Sequence, residues 1–399
     1  MHRFLEAALR QRLATLLLVL GLAGLGIWAY LQLKIEAYPD ISDTQVIVIT
    51  EFPGHAAEEM EQQVTIPIER ALNSTPRVIA RRSRTIFGLS VVELTFEYGT
   101  DDYFARQIVT EKLREAELPP EVTPTLGPLS TPTGELYRYT VEGPGYNDME
   151  LRELQDWVIT PRFLQEPGVA DVATFGGLVK QYHVEVNPIL LEKYGITVSQ
   201  VAKAISSNNQ NAGGALLDNR QQSIVVRGVG LIRSPEDIEN IVLSASKGVP
   251  VFIRDIGRVH IGPALQTGIF GLDSKTGGVE GLVLMRRGEN PSQVLEAIKD
   301  AVEDLNQSRL PDGVRVRAIY DRTDLVNNTL RTVSRTLAEG LTIVFFMLLF
   351  FLGSFEAALL TALTVPLSLL FSFVCMWFYG IPASLLHWDV TAAPRHGRF

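Results

Sequence analysis

The chain has 399 residues, a formal net charge of −9, one cysteine and a slightly positive mean hydropathy of +0.13. That length holds several domains, the single cysteine excludes an internal disulfide, and the acidic balance excludes an ordinary nucleic-acid-binding surface. No G-x-x-x-x-G-K-[ST] loop is present, which excludes a standard ATP-binding loop.

The first element is an uncharged stretch, Leu13 to Leu33, rich in Leu, Gly and Ala, with Trp28 and Tyr30 near its far end. About 20 apolar residues cross a bilayer core as a helix, and amphipathic aromatics favour its edges. A signal peptide is the rival reading. The run is longer than the usual apolar core of such a leader, and no small-x-small cleavage site follows before Lys34. Arg3, Arg10 and Arg12 precede it against Glu6 alone, so the N-terminus is expected on the cytoplasmic side.

Residues from about 34 to 330 are then expected outside, and they carry about 41 acidic and 29 basic side chains, a net charge near −12. Such a surface suits cations, and it suits ordinary solubility equally. Two similar units follow one another. In the first, Thr44 to Thr50 reads as a strand, Ala56 to Asn73 as a helix after Pro53-Gly54, and Arg77 to Ile86 with Leu89 to Phe96 as a hairpin. Asp101 is placed to cap a helix with Phe104, Ile108, Val109 and Leu113 on one face, and a strand near Val122 to Leu126 closes the unit.

The second unit opens with a strand at Leu136 to Val141, a helix from Asp148 to Leu164 and a strand at Val169 to Thr174. Its other half comes later. A strand at Val279 to Met285 precedes a helix capped by Ser292, with Val294, Leu295, Ile298, Val302 and Leu305 as its stripe. A strand at Val314 to Tyr320 follows, alternating Val314, Val316 and Ala318 against Arg315 and Arg317. Both units spell β-α-β-β-α-β, the ferredoxin-like pattern, which many functions share.

Between the halves, about Leu178 to Ile269, lies a mixed insertion. It has a strand at Tyr182 to Val186, a helix from Ser199 to Ser207 and a hairpin from Gly213-Leu217 through Asp218-Asn219-Arg220 to Ser223-Val226. His183 falls on the polar face of its strand and reads as an ordinary surface histidine. Near the C-terminus, Leu341 to Leu352 and Ala357 to about Tyr379 read as two membrane helices around Gly353-Ser354-Phe355-Glu356. The first of these is short for a span and must borrow residues from Thr332 onward. A buried soluble hairpin is the weaker reading, since Phe345 to Phe351 is apolar on every face.

Ligand-type residues are scattered. External methionines are Met60, Met149 and Met285, and external histidines are His55, His183 and His260. Clustered Met or Cys would suit Cu(I) or Ag(I), and His with carboxylates would suit Zn(II) or Co(II). No ligand-spaced cluster of either kind is visible. Asp101-Asp102 and Glu58-Glu59 read as helix-start and solvated residues. No nucleophile–base arrangement is visible, so no catalytic residue, cofactor site or enzyme activity is expected, and the metal-contact residues are unknown.

Several ordered segments carry a family resemblance. Ala37-Tyr38-Pro39-Asp40-Ile41-Ser42-Asp43-Thr44-Gln45-Val46, directly after the first span, resembles the start of heavy-metal efflux permeases of the resistance–nodulation–division class. Gly99-Thr100-Asp101, Leu154-Gln155-Asp156-Trp157, Gly176-Gly177 with Lys180-Gln181-Tyr182, Ile253-Arg254-Asp255-Ile256-Gly257 and Tyr320-Asp321-Arg322-Thr323 follow in order. The resemblance covers about Met1 to Ala383.

It implies an α+β membrane protein in the bacterial inner membrane, with transmembrane helices flanking two ferredoxin-like porter subdomains, the second split by a docking-type insertion. The expected divisions are 1–34 (cytoplasmic N-terminus and first span), 35–134 (first porter subdomain), 135–177 with 270–325 (second porter subdomain) and 178–269 (docking subdomain). The second span is expected at 326–353 and the third at 357–380. It also implies a homotrimer exporting metal cations by proton antiport, with a periplasmic adaptor protein, an outer-membrane channel and membrane lipid as partners. The short hairpin at Gly213–Val226 holds the position of the arm that reaches a neighbouring subunit.

Two departures stand out. Glu356 replaces the Arg usual between the second and third spans. After Ile381-Pro382-Ala383 a Ser-Leu-Gly stretch is expected to lead into an acid-bearing relay helix, and the chain instead reads Ser384-Leu385-Leu386 and then His387 to Phe399. His-Trp-Asp encoded as CAT TGG GAC becomes Ser-Leu-Gly when one T is restored before it. Residues 387–399 are therefore expected to be a frameshifted tail, and the chain a truncated subunit, inactive alone and with no proton-relay residue of its own. The alternative is a membrane-anchored periplasmic assembly or adaptor module that does not transport, which needs one span rather than three. A protein-export auxiliary of the same superfamily would lack the insertion.

Overall fold

The computed structural model describes residues 10–33, 35–36, 40, 42–211, 213–214, 216–219, 222–225, 228–246, 249–266, 268–379 and 383–384. The stretch from His387 onward lies outside them, as do parts of the Ala37–Val46 motif and of the hairpin turn. Two compact units divide the chain, one of residues 1–142, 156–174 and 280–399, the other of residues 143–155 and 175–279.

The first unit opens with helix α1 (Arg12–Gln32), uncharged after Arg12 and almost wholly apolar. Strand β1 (Gln45–Glu51) follows with the burial rhythm of period two: Val46, Val48 and Thr50 point inward. Helix α2 (residues 57–72) then packs Met60, Val64, Ile68 and Leu72 onto the sheet, at the spacing a single helical face requires. Strands β2 (Val78–Ile86) and β3 (Leu89–Phe96) form a hairpin. Helix α3 (Asp102–Leu113) is capped by Asp101, whose carboxylate accepts from the Phe104 N–H at 2.8 Å. Strand β4 (Thr125–Leu126) closes a four-stranded sheet ordered β2-β3-β1-β4.

The second sheet repeats this plan. Strand β5 (Glu135–Glu142) leads into helix α4 (residues 148–164), whose first turns belong to the second unit, and then to strand β6 (Val169–Gly176). Within the second unit stand β7 (Lys180–Val186), α5 (Pro188–Tyr194) and α6 (Val198–Asn208). Then come the hairpin β8 (Leu216–Asn219) with β9 (Gln222–Val225), α7 (Pro235–Glu239), β10 (Val242–Ser246), β11 (Val249–Phe252) and β12 (Gly257–Pro263). Leu191, Val201, Ile238, Ile253 and Ile256 form that unit's core. The chain returns through β13 (Val279–Met285), α8 (Pro291–Asp304) and β14 (Arg315–Asp321), giving the order β14-β5-β13-β6. Numbered by occurrence within each repeat, both sheets have the order 2-3-1-4, read from one edge or the other.

Five sequence expectations need correction. The buried face of α3 is Ala105, Val109 and Leu113, while Phe104 is exposed beneath the Arg77 guanidinium. Helix α8 is capped by Asn290, which accepts from the Ser292 N–H at 3.1 Å, because Pro291 takes the first helical position. Its buried stripe runs through Ala301 rather than Val302. In β14 a register shift between Ala318 and Tyr320 breaks the alternation, and Ala318 is exposed. Strand β4 is also shorter than the expected Val122–Leu126.

Both repeats share a feature that hydrophobic periodicity cannot show. In α2 a π-turn (Glu61–Thr65) precedes Pro67, and in α4 a π-turn (Gln155–Ile159) precedes Pro161. Proline has no N–H to donate four residues back, so the ladder loosens locally. The Ile66 N–H accordingly donates to the Glu61 carbonyl, five residues back.

Helix α9 (Arg322–Leu352) begins at the residue after β14 ends, with Asp321 accepting from the Thr323 N–H at 2.8 Å. Its first half is polar, with Arg335 paired to Glu339 at 2.8 Å, and the apolar stretch is confined to the second half, Ala338–Leu352, in which Glu339 is the one charged residue. Gly353, at φ 60°, ends it in the left-handed conformation, and α10 (Phe355–Tyr379) follows.

Tyr139 is fully buried in β5, and a Cβ at Gly281 of β13 would overlap its ring. Gly281→Val should therefore destabilise the chain by about 2 kcal/mol, seen as a lowered unfolding midpoint that Tyr139→Ala partly restores in the double variant. A second outcome concerns pH. Asp304 accepts from Arg162 Nε at 2.8 Å, Ser308 Oγ at 2.9 Å and Arg309 Nε at 2.8 Å. These bonds, Arg162 foremost, hold its carboxyl down to about 2. The carboxylate's stabilising effect is thus complete above the ordinary value of about 4 and is lost as pH falls toward about 2. Asp304→Asn should flatten the acid limb of the unfolding midpoint over that interval.

Candidate functional site

In the first unit, α1 and α10 pack side by side, joining the beginning of the chain to its end. Their contact is set by Gly26: a Cβ there would fall 2.6 Å from Leu370 Cβ and 2.9 Å from its carbonyl oxygen. Absence of a side chain therefore permits the close approach, as small residues do between apolar helices. Around it Trp28 meets Trp377 edge-on at 4.9 Å, Tyr30 leans on Phe373 at 5.1 Å, and Ala29, Leu33 and Phe373 are buried. The remaining surface is bare. In the spans Leu13–Tyr30 and Phe355–Tyr379, of mean hydropathy 2.0 and 2.1, only 11% and 6% of the residues are buried. Both are long and apolar enough to cross a membrane, and neither has the cover of a soluble core helix.

A second focus is Arg287, just after β13. Its guanidinium donates to Thr44 Oγ1 at 3.0 Å, to Asp102 Oδ1 at 3.1 Å and to the Ser42 carbonyl, and lies 3.8 Å from Asp40 Oδ2. One side chain from the second sheet thus closes several acceptors at the start of the first sheet and its helix α3. Burial pushes the Asp40 carboxyl up, but hydrogen bonds from Thr131 and Ser42 and the charge of Arg287 outweigh it and hold it below its ordinary value. Nothing in the local sequence, Arg286-Arg287-Gly288-Glu289, separates this arginine from a solvated turn residue. Its role depends on partners more than 180 positions away.

The residues singled out from sequence fare differently. Met60 and Met285 are core residues, and Met149 stands apart in the first turn of α4. His55 stacks on Phe52 with ring centres 3.5 Å apart. Asp101 caps α3 and Glu59 accepts from the Ala56 N–H at 3.3 Å, as helix-start residues do, whereas Asp102 is a partner of Arg287. His183 and His260, far apart in sequence, are brought opposite each other across β7 and β12, ring edge toward ring. Among the described residues no group of three or more His, Cys, Asp or Glu side chains is arranged to hold a metal ion.

The architecture combines a duplicated α+β segment with an inserted unit and two helices long and apolar enough to cross a membrane. The chain belongs to the AcrB/AcrD/AcrF family, whose pattern matches residues 4–387. It is 42% identical over 396 residues to the cation efflux system protein CzcA of Alcaligenes sp. strain CT14, covering 96% of this chain and 37% of that protein. It is 36% identical over 387 residues to the cation efflux system protein CusA of Escherichia coli K12, with the same coverage. A crystal structure of a heavy metal efflux pump superposes with a TM-score of 0.90 at 44% identity, over 96% of this chain and 39% of that one. The chain therefore spans well under half the length of these relatives, and within the family it resembles heavy-metal efflux proteins of the resistance–nodulation–division class.

Removing the guanidinium should uncouple the two sheets. Arg287→Met should lower the unfolding midpoint by an amount equivalent to about 2 kcal/mol, between the values for exposed and buried ion pairs, and should increase amide exchange at Ser42–Thr44 and in the first turn of α3. Unchanged exchange at those sites would show that the clasp holds nothing.

Proposed function

We propose that this chain is the N-terminal portion of a subunit of a bacterial inner-membrane exporter that moves heavy-metal cations outward by proton antiport. The observation that supports it most is the superposition on a heavy metal efflux pump, TM-score 0.90 at 44% identity over 96% of the chain. In this reading the two sheets of order 2-3-1-4 are ferredoxin-like porter subdomains (residues 35–134, and 135–177 with 270–325). Residues 178–269 form a docking subdomain, and residues from about 34 to 330 face the periplasm.

Helices α1 and α10 cross the inner membrane. Helix α9 crosses with its apolar end Ala338–Leu352 and the polar turn before it, since that apolar stretch is short for a span on its own. The assembly is a homotrimer completed by a periplasmic adaptor and an outer-membrane channel, and the hairpin β8–β9 reaches a neighbouring subunit. No catalytic chemistry is assigned. An acid inside a span is costly and marks proton pathways. Helix α1 carries no acid, the acid of α10, Glu356, stands in its first turn, and Glu339 at the polar start of the apolar end of α9 is paired with Arg335 at 2.8 Å. The proton relay is thus assigned to parts of the pump beyond these helices. A membrane-anchored adaptor is the lesser reading, because it has no use for the apolar pair α9–α10.

The test is a chimera in which residues 1–383 replace the matching segment of a cobalt–zinc–cadmium exporter in a metal-sensitive host. The expected result is resistance to zinc, cobalt or cadmium above that of the empty vector, while the 399-residue chain alone inserts in the membrane and confers none. A chimera that inserts and assembles at normal levels yet gives no resistance to any of these ions, or resistance from the 399-residue chain alone, would overturn the proposal.

A further inference from the structure

Strands β7 and β12 form a two-stranded antiparallel pair in which His183 lies directly opposite His260. Period-two alternation sends Val184, Val186 and Val259 toward the core of the second unit. It leaves Gln181, His183, Glu185, Arg258, His260 and Gly262 together on the other face. The two imidazole rings meet with centres 5.4 Å apart at an interplanar angle of 60°.

That separation is informative. A ring nitrogen bonded to zinc at about 2.1 Å puts its ring centre about 3.2 Å from the ion, so two imidazoles at a tetrahedral angle stand with centres about 5 Å apart. Three further observations point the same way. The Nδ1 atom of His260 is buried and has no hydrogen-bond partner, although buried ring nitrogens ordinarily find one. A Cβ at position 262 would lie 2.9 Å from Cε1 and 3.0 Å from Nδ1 of His183, so glycine there leaves the space that ring occupies. The Nε2 atom of His260 stands 3.9 Å from Glu185 Oε1, while Arg258 Nε holds the other carboxylate oxygen at 2.7 Å.

We infer that His183 and His260 form a two-imidazole binding site for a divalent transition-metal ion of zinc type on the exposed face of β7–β12. Small rotations about the side-chain bonds bring one nitrogen of each ring onto the ion, and water completes the tetrahedron. Imidazole suits zinc, nickel and copper(II), and disfavours magnesium and calcium. With two protein ligands the site exchanges its ion rapidly and binds it in the micromolar range or weaker. Glu185 stays on Arg258 and balances charge beside the site. The inference needs only this strand pair and is independent of the export reading.

The test is titration of the purified full chain in detergent with zinc ion alone, in competition with a coloured chelator and without any membrane gradient. His183→Ala and His260→Ala should each abolish one zinc equivalent per chain or weaken it at least tenfold. Gly262→Val, which displaces the His183 ring, should act in the same direction, and His55→Ala should leave that equivalent unchanged. Both histidines are partly exposed, so the metal-free variants should keep the wild-type unfolding midpoint. His260→Gln repeats the measurement if His260→Ala does not. Absence of zinc binding by the wild-type chain, or undiminished binding after both histidine substitutions, would overturn the assignment whatever the outcome of the resistance experiment.

Discussion

Gly26 and Leu370 lie almost the whole chain apart, and their contact fixes where everything between them must begin and end. The sheets of the first unit leave α1 after Leu33 and must bring the polypeptide back to α10, which rests on α1 through a position too narrow for a methyl group. Small residues are favoured between apolar helices because no water is expelled by their association, so contact distance governs the attraction. A duplicated β-α-β-β-α-β segment suits this requirement. Each repeat enters and leaves through strands adjacent in its own sheet, β1 beside β4 and β5 beside β14.

The part of the chain between α1 and α9 has no covalent restraint to help it. With Cys375 as the sole cysteine, its rigidity comes from side-chain burial and from a few charged clasps. Tyr139 over Gly281 illustrates the first, since an aromatic ring and an absent side chain fit as one volume. Arg287 and Asp304 illustrate the second, each gathering several hydrogen bonds into one charged centre. Such centres are sensitive to the loss of a single partner, because a charge left half-buried and unpaired costs more than the pair contributes.

How far the sequence disclosed this can be judged element by element. The strands expected at Thr44–Thr50 and Leu89–Phe96 and the 3-4 spacing of Val294, Leu295 and Ile298 were legible, because β-branched runs suit a pleated sheet and burial imposes the helical period on one face. The cap of α8 was misplaced by two residues, since Asn290, Pro291 and Ser292 are all credible helix-start residues and only backbone geometry separates them. The π-turns left no periodic trace; the proline after each is the sole hint. Arg287 and the His183–His260 pairing were invisible for a different reason. Each depends on strands distant in sequence coming into register, and no local pattern encodes a partner. The family resemblance, by contrast, was legible early, because it rests on short ordered motifs rather than on contacts.

Helix α9 starts at Arg322, with no residue between it and the last residue of β14. At about 1.5 Å per residue its 31 residues form a rod roughly 46 Å long. A strand running straight into a helix leaves no slack between them, and Lys299 of α8, 2.7 Å from Asp321, braces the junction. Torque applied to the second sheet is therefore delivered to the apolar end of α9 as tilt rather than absorbed by a flexible joint. At the far end of that path Gly353, at φ 60°, turns the chain into α10.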